Sequence, residues 1–127
     1  MLQNAKVFAS FSVNDIAKAK EFYEATLGLE VKETKEGLEL HFAGGSHAFV
    51  YAKPDHVPAT YTVLNFMVPD IDHVVDELAA KDVQFEHYDQ EHMKTDEKGI
   101  SRGVGDYPSI AWFRDPFGNF LSVIEEK

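Results

Sequence analysis

Hydrophobic and polar positions follow two periodicities along the chain, and both periodicities occur twice in the same order. A period of two over residues 7–13 predicts a strand with one apolar face, and a period of 3.6 from Ile16 to Leu27 predicts an amphipathic helix. Asn14-Asp15 supplies an N-cap for that helix, and Gly28 suits its left-handed end. Three strands are predicted next, over residues 30–34, 38–42 and 48–52.

The same order begins again after residues 53–59, a linker whose two prolines disfavour both a helix and a central strand. A strand is predicted over residues 61–68, and Pro69-Asp70 then caps a helix running from Ile71 to Ala79. Asp82 stands where a glycine is expected at the helix end, and Asp tolerates the left-handed conformation better than most residues. Further strands are predicted over residues 83–88, 109–114 and 120–125.

The repetition predicts the fold. Phe11–Ile16 matches Phe66–Ile71 at an offset of 55 residues. Two tandem βαβββ modules, about residues 5–53 and 60–127, predict one domain of the α+β class. Each helix covers one face of its sheet, and the opposite faces remain to line a cleft. The polar segment 89–108 is too long for an ordinary hairpin, which favours a lid or a mobile binding segment.

Composition narrows the range of partners. The chain has 127 residues, no cysteine and a formal net charge of −10. Disulfides and thiolate metal sites are therefore excluded, and the negative field disfavours nucleic acid and anionic membranes as partners. The N-terminus lacks the apolar core of a signal peptide, and no apolar run approaches the ~18 residues of a membrane span. These features predict a cytoplasmic protein with a small-molecule ligand.

Three short motifs, in order, resemble the glyoxalase/bleomycin resistance protein/dioxygenase superfamily, also called vicinal oxygen chelate proteins. They are Phe22-Tyr23 with Leu27-Gly28-Leu29, then Val68-Pro69-Asp70-Ile71-Asp72, and finally the run from Trp112 to Asn119. The resemblance extends from about Val7 to Glu125. It implies that each module curls into a half-barrel, that two modules form a cup for a small ligand, and that the chain forms a homodimer.

The resemblance also implies where a divalent metal would bind in the family's enzymes. The ligand positions fall on Phe8, Val63 and Ser122 and, within about one residue, on Tyr51. A divalent ion needs three or more imidazole or carboxylate donors, whereas Phe and Val offer none and the hydroxyls of Ser and Tyr are weak donors. The neighbouring inward positions also lack such donors: Ser10, Asn65 and Phe120. The sequence therefore predicts no metal cofactor at these positions.

Strand alternation predicts which residues line the cup. The predicted ligand pocket is mostly apolar with a few polar groups to orient a ligand, and consists of Phe8, Ser10, Tyr51, Val63, Asn65, Met67, Trp112 and Ser122. Filling of the half-barrels by the same side chains remains the alternative. Trp112, the one tryptophan, suits either the core or a platform on which a ligand stacks.

The remaining polar residues give weaker signals. None of the six histidines has metal-motif spacing, including His41 and His47 beside the Gly44-Gly45 turn and His92 in the long segment. Lys94, Lys98 and Arg102 in the same segment are suited to an anionic substrate. Asp96 and Glu97 interleave them, however, and favour a solvated, flexible loop.

Three functions follow from these observations, and the sequence leaves open whether the protein is an enzyme. The first is metal-free binding or sequestration of a small molecule, with a cationic one favoured by the net charge. The second is a lyase, isomerase or dioxygenase that uses a relocated metal or acid–base groups, for which Tyr51, His41 and His87 are the candidates. The third is an interaction module whose cup is filled by its own side chains.

Overall fold

The computed structural model describes residues 1–126 and contains two compact units. Unit 1 is Met1–Pro58, and unit 2 begins at Ala59, so the boundary lies inside the predicted linker. The last residue of the predicted second module, Lys127, lies outside the described residues. Within residues 1–126, no helix has both the length and the apolar character needed to cross a membrane.

Unit 1 contains one four-stranded sheet and one helical segment. Its elements are β1 (Ala9–Val13), α1 (Ile16–Lys20) with a π-helical continuation (Glu21–Thr26), β2 (Glu30–Glu33), β3 (Gly37–His41) and β4 (His47–Ala52), with 3₁₀ turns at Leu2–Asn4 and Ala43–Gly45. The strand order is β1-β4-β3-β2. β1 runs parallel to β4, and the other neighbours are antiparallel.

The predicted ends of the first helix are confirmed. The Asp15 carboxylate accepts a hydrogen bond from the Lys18 amide at 3.0 Å, and Gly28 adopts φ 75°. The continuous α-helix predicted between them is partly wrong, because its second half widens into a π-helix in which the Leu27 amide donates to the Phe22 carbonyl at 2.9 Å.

Alternating residues of the first sheet form the core of unit 1. The buried face carries six apolar side chains: Phe11, Val13, Leu38, Leu40, Ala48 and Val50. Tyr23 of the π-helix is fully buried and packs its ring 5.9 Å from the ring of Phe11. Val7, predicted to begin this strand, precedes β1 and is exposed. The strand is therefore shorter than its apolar pattern.

Unit 2 repeats the strand order of unit 1. Its elements are β5 (Thr62–Val68), α2 (Ile71–Ala80), β6 (Asp89–Gln90), β7 (Met93–Lys94), β8 (Ile100–Ser101), β9 (Ile110–Arg114) and β10 (Phe120–Glu125). Four strands form a sheet in the order β5-β10-β9-β8, and β6 and β7 form a separate hairpin. Two four-stranded sheets with few helices confirm the predicted α+β class.

Short polar side chains fix the turns of unit 2. Asp70 caps α2 by accepting from the His73 amide at 3.2 Å, and Asp82 adopts φ 69°, so both predictions are confirmed. The buried carboxylate of Asp115 accepts from the amides of Phe117 at 2.9 Å and Asn119 at 2.8 Å. These bonds close the turn that joins β9 to β10.

The strand predicted over residues 83–88 is wrong. Phe85 forms only an isolated bridge with Phe113, next to which the Glu86 amide donates to the Trp112 carbonyl at 2.8 Å. The chain then leaves the sheet over residues 87–99, here called the excursion, and returns as β8 beside β9. The fourth strand position is thus divided between two short pieces. Alternation indicates which side chains are buried, but it does not indicate how far the pairing continues.

A β-bulge changes the face on which the start of β5 presents its side chains. Phe120 pairs with Thr62, but the next residue, Leu121, pairs with Leu64. Val63 is therefore the extra residue of the bulge. As a consequence, Thr62 lies on the same sheet face as Phe120. Simple alternation along β5 instead places Val63 on that face.

Candidate functional site

Unit 2 contains a cavity of about 260 Å³ beside the start of its sheet. Its lining comes from the entry into β5, from the excursion and from strands β9 and β10: Thr60, Tyr61, Thr62, Tyr88, Gln90, Met93, Trp112 and Phe120. The volume lies just below the range of about 300–1,000 Å³ that is usual for sites of drug-sized ligands. It therefore suits a small ligand.

Two aromatic rings form the floor of the cavity. Trp112 in β9 and Phe120 in β10 alternate with the buried Ala111 and Leu121, so both rings project from the opposite face of the sheet. The Arg114 guanidinium lies 4.5 Å from the centre of the Phe120 ring. This cation–π contact packs Arg114 against the Phe120 ring.

The excursion forms one wall of the cavity. In the hairpin of residues 89–94, Gln90 pairs with Met93 across the two short strands, and both residues line the cavity. Thr95 closes the base of the hairpin, because its hydroxyl oxygen accepts from the Tyr88 amide at 2.8 Å and its amide donates to the Tyr88 carbonyl at 3.0 Å. The Tyr88 ring then meets the Trp112 ring edge-on at 5.9 Å.

The cavity is polar in places but carries no fixed charge. None of the eight described residues that line it has an ionised side chain at neutral pH. Burial raises the pKa of the Tyr88 phenol, and the nearby negative charge of Glu86 raises it further. Tyr88 therefore stays protonated at physiological pH, and its hydroxyl is hydrogen-bonded to Glu86. The Gln90 amide and the Thr hydroxyls add neutral donors and acceptors.

The predicted pocket residues of unit 2 lie near one another, but only Trp112 lines the cavity. Asn65, Ser122 and Trp112 form a row across three neighbouring strands. The Ser122 hydroxyl is fully buried and donates to Oδ1 of Asn65 at 2.6 Å, so it is already engaged within the sheet. Met67 is exposed, and Val63 lies in the bulge.

The predicted residues of unit 1 lie on the sheet face opposite its buried core. The Phe8 ring stacks on His47 at 5.1 Å, and His47 stacks on His41 at 5.8 Å. His41 Nε2 donates to Glu39 Oε1 at 3.0 Å. On the same face the Tyr51 ring stacks on Phe49 at 6.2 Å; Ser10, also predicted for the pocket, is exposed, and so is His87 in unit 2.

The residues present do not fit the metal that the family resemblance implies. Ser10 pairs with Phe49, and Asn65, which lies 55 residues after Ser10, pairs with Ser122. The position that matches Ser122 is therefore Phe49, not Tyr51 as predicted, and a phenyl ring also offers no donor. Across residues 1–126, no group of three or more His, Asp or Glu side chains is arranged to hold a metal ion.

The segment predicted as a solvated, flexible loop is held to α2 by ion pairs, although the charged side chains that hold it remain partly exposed. Arg102 donates to both carboxylate oxygens of Asp72 at 2.8 Å, and Lys98 pairs with Asp72 at 3.2 Å and with Asp76 at 3.0 Å. These contacts join the segment to α2. Their partners are more than 20 residues away in sequence, which is why local charge spacing did not reveal them.

Sequence reasoning missed most of the cavity lining: Thr60, Tyr61, Thr62, Tyr88, Gln90, Met93 and Phe120. Thr62 was hidden by the bulge at Val63. The residues of the excursion were hidden by its unrecognised hairpin, although the tyrosine and methionine in an otherwise polar segment were a usable signal.

The chain belongs to the glyoxalase/bleomycin resistance protein/dioxygenase superfamily, because the family model matches residues 7–123. A comparison with curated proteins found no match.

Solved structures share the fold over almost the whole chain. A protein from Bacillus anthracis described as a glyoxalase-family protein is 20% identical, with 100% of each chain covered and a TM-score of 0.71. TnmS3, an antibiotic-binding protein from Streptomyces sp. CB03234, is 19% identical, with 98% of this chain and 99% of that chain covered and a TM-score of 0.67. The fosfomycin resistance protein FosX from Listeria monocytogenes is 12% identical, with 98% and 94% covered and a TM-score of 0.73. At these identities the likeness establishes the fold and not the activity.

Proposed function

We propose that the protein binds a small planar molecule non-covalently in the cavity of unit 2, without a metal, and so sequesters it. The observation that carries this proposal is the cavity lining, which offers aromatic faces and neutral hydrogen-bonding groups but no ionised side chain among its described residues. Such a lining recognises shape and stacking, and it provides neither a Lewis acid nor a strong nucleophile.

The donor set at the metal positions supports the same function. Phe8, Phe49 and Val63 stand where metal-dependent members of the family would need ligands, and none of them bears a donor atom. The described antibiotic-binding activity of TnmS3 is consistent with a binding role on this fold. It supports the proposal by analogy only.

Charge narrows the ligand class. None of the described lining residues supplies a counter-ion for a phosphate or carboxylate. Arg114, which lies over Phe120, is already paired with Glu86 at 3.1 Å, and the net charge of −10 repels anions. Aromatic faces attract cations through their quadrupoles. A planar cation, or a neutral planar molecule, is therefore the preferred ligand.

Isothermal titration calorimetry with three two-ring probes tests this proposal: cationic N-methylquinolinium, neutral 2-naphthol and anionic 1-naphthoate. For a ligand of ~11 non-hydrogen atoms at about 0.5 kcal/mol each, we expect a Kd near 0.1 mM for the cation. The neutral probe should bind similarly or more weakly, and the anion most weakly. EDTA should leave the values unchanged. Loss of binding on metal removal, or preference for the anion, would overturn the proposal.

The Glu39–His41 pair favours a second candidate function, acid–base catalysis on unit 1. Glu39 orients the His41 ring and leaves Nδ1 available to accept a proton, and Tyr51 lies on the same sheet face. Isomerisation of a hemithioacetal in the presence of EDTA, lost in His41→Asn and retained in Trp112→Phe, would support this candidate. Absence of turnover with the wild-type protein would remove it.

The proposal includes a homodimer, as the family resemblance implies, that acts in the cytoplasm. Light scattering coupled to size-exclusion chromatography tests the oligomeric state, with a mass of twice 14.3 kDa expected for the dimer. A mass of 14.3 kDa at micromolar concentration would contradict it.

A further inference from the structure

The largest cluster of ion pairs in the described residues lies outside the cavity. Here called the α2 clamp, it consists of Asp72 and Asp76 on α2 together with Asp96, Lys98 and Arg102 on the returning part of the chain. Arg102 binds Asp72 through two hydrogen bonds of 2.8 Å and also reaches Asp96 at 2.9 Å. A bidentate pair inside such a network is stronger than an isolated surface pair.

Backbone contacts tie the clamp to the end of the excursion. The Asp96 carboxylate accepts from the amides of Lys98 and Ile100, each at 2.9 Å. Ile100 is fully buried and begins β8, which pairs with β9. The clamp therefore fixes the point at which the chain re-enters the sheet.

The beginning of the excursion is fixed separately. Phe85 bridges Phe113, and the Glu86 amide donates to the Trp112 carbonyl. Between these two anchors stand residues 88–95, which carry Gln90 and Met93 against the cavity. The position of this wall over Trp112 consequently depends on both anchors, and the second anchor combines the buried Ile100 with the exposed charges of the clamp.

The charges of the clamp stabilise one another. Hydrogen bonds from Arg102 and then Lys98 hold the pKa of Asp72 well below its usual value of 3.8. Hydrogen bonds to Asp76 and Asp72 raise the pKa of Lys98. The side chains of Asp72 and Arg102 are nevertheless 43% and 48% exposed. Salt therefore weakens the clamp, since exposed charge pairs are screened over about 10 Å at 0.1 M.

We propose that Asp72 and Arg102 are positioning residues for the ligand cavity: their ion pair holds the returning end of the excursion, and thereby holds Gln90 and Met93 over Trp112. This inference rests on the proposed function for its effect on ligand affinity. The wall position itself does not depend on any ligand. A loosened wall leaves the floor of the cavity intact, so it speeds ligand escape more than it slows entry.

Acrylamide quenching of Trp112 fluorescence tests the wall without a ligand, because Trp112 is the only tryptophan of the chain. In Asp72→Asn, we expect the quenching constant to rise about twofold at low salt, as an uncovered indole becomes more accessible. Arg102→Gln should behave in the same way. Glu77→Gln is the matched control: it removes an equal charge from the same helix, but Glu77 pairs only with His73 among the contacts described. Wild-type protein in 0.5 M NaCl should approach the Asp72→Asn value.

Calorimetric titration of N-methylquinolinium adds the ligand readout. Coupling of this kind commonly changes an equilibrium by about three- to tenfold, and we expect that increase in the dissociation constant for Asp72→Asn. Equal quenching in Asp72→Asn, Glu77→Gln and wild type would overturn the inference. If quenching changes as expected but no probe binds, the clamp is supported and the proposed function fails. A melting temperature measured for each variant separates a local change from unfolding.

Discussion

The two units share a strand order but differ at the fourth strand of the sheet. In unit 1 that strand, β2, pairs continuously with β3 from Glu30 to Glu33. In unit 2 the same place beside β9 is divided between Phe85 and β8, and the excursion between them forms a hairpin. The comparison shows how a cavity arises in a duplicated fold. Interrupting an edge strand frees enough chain to form a hairpin, and this hairpin covers one face of the sheet. Among its described residues, unit 1 has no such hairpin over its corresponding face.

The sheet faces opposite the two buried cores also carry different side chains. The row Ser10–Phe49–Glu39 in unit 1 corresponds to Asn65–Ser122–Trp112 in unit 2. A carboxylate therefore occupies in unit 1 the place that an indole occupies in unit 2. The first suits proton transfer with His41, and the second suits stacking.

The largest expected effect comes from the excursion, at Gly99. This residue has φ +90°, and a Cβ there would lie 2.8 Å from the Phe85 Cβ. Gly99→Ala combines backbone strain with overpacking and should lower the free energy of unfolding by about 3 kcal/mol. Gly28→Ala in unit 1 is the control, because its φ is +75° but nothing lies within 4 Å. It should lower the free energy by about 1 kcal/mol. If urea titrations gave equal losses of unfolding free energy for Gly99→Ala and Gly28→Ala, the chain at Gly99 would be no more tightly packed than the helix end at Gly28.

The next largest effect separates the two sheet faces. Trp112→Ala should weaken N-methylquinolinium binding by about 2 kcal/mol, or roughly thirtyfold, since it removes one stacking surface. Phe49→Ala removes an aromatic ring from the corresponding face of unit 1 and should leave the affinity unchanged. Calorimetry measures both variants. A similar loss in both would mean that the ligand contacts unit 1 as well.

A smaller effect is expected at Ser122. Its hydroxyl donates a hydrogen bond to Asn65 at 2.6 Å, and the residue belongs to the sheet of unit 2 rather than to the cavity lining. Ser122→Ala should lower the free energy of unfolding by about 1 kcal/mol, the usual value of one hydrogen bond, and should not change probe affinity. A loss of affinity larger than the loss of stability would give Ser122 a direct role in binding.

The smallest expected effect is the loosening of the α2 clamp at low pH. Hydrogen bonds from Arg102 and Lys98 lower the pKa of Asp72. Burial raises the pKa of Asp96, but amide donors and Arg102 outweigh it and lower the net value. Carboxylates of this kind stabilise the fold above their usual pKa of 3.8, and that contribution disappears as the pH falls through the lower folded-state value. Trp112 quenching should therefore stay constant from pH 7 to about pH 5 and rise below about pH 4. Asp72→Asn should flatten this rise, and an unaltered curve would contradict the clamp.

Local signals predicted much of the fold. Asp15, Asp70, Gly28 and Asp82 mark the helix ends correctly because capping depends on a few adjacent atoms. The strand over 83–88 was wrong because Phe85 alternates as a strand residue does, yet its pairing stops after one bridge. Pairing length is a property of the partner strand and of the chain beyond it.

The candidate site was predicted less completely, for physical reasons of the same kind. Trp112 was found through its rarity and its place in an alternating strand. Thr62 was missed because a bulge at Val63 reverses the alternation, and Gln90 and Met93 were missed because a hairpin of two-residue strands has almost no periodicity. The prediction of no metal depended on the lack of imidazole and carboxylate donors at the matching positions, and the replacement of Tyr51 by Phe49 in that set leaves this lack unchanged.

The divided fourth strand of unit 2 has a consequence for solubility. An unbroken edge strand offers a row of free amides and carbonyls on which a neighbouring molecule can add a strand. Here β8 is two residues long, and the comparable edge strand of unit 1 carries exposed Glu30, Lys32 and Glu33. One edge is too short and the other too charged to template a cross-β assembly, so this protein should resist fibril growth from either of them.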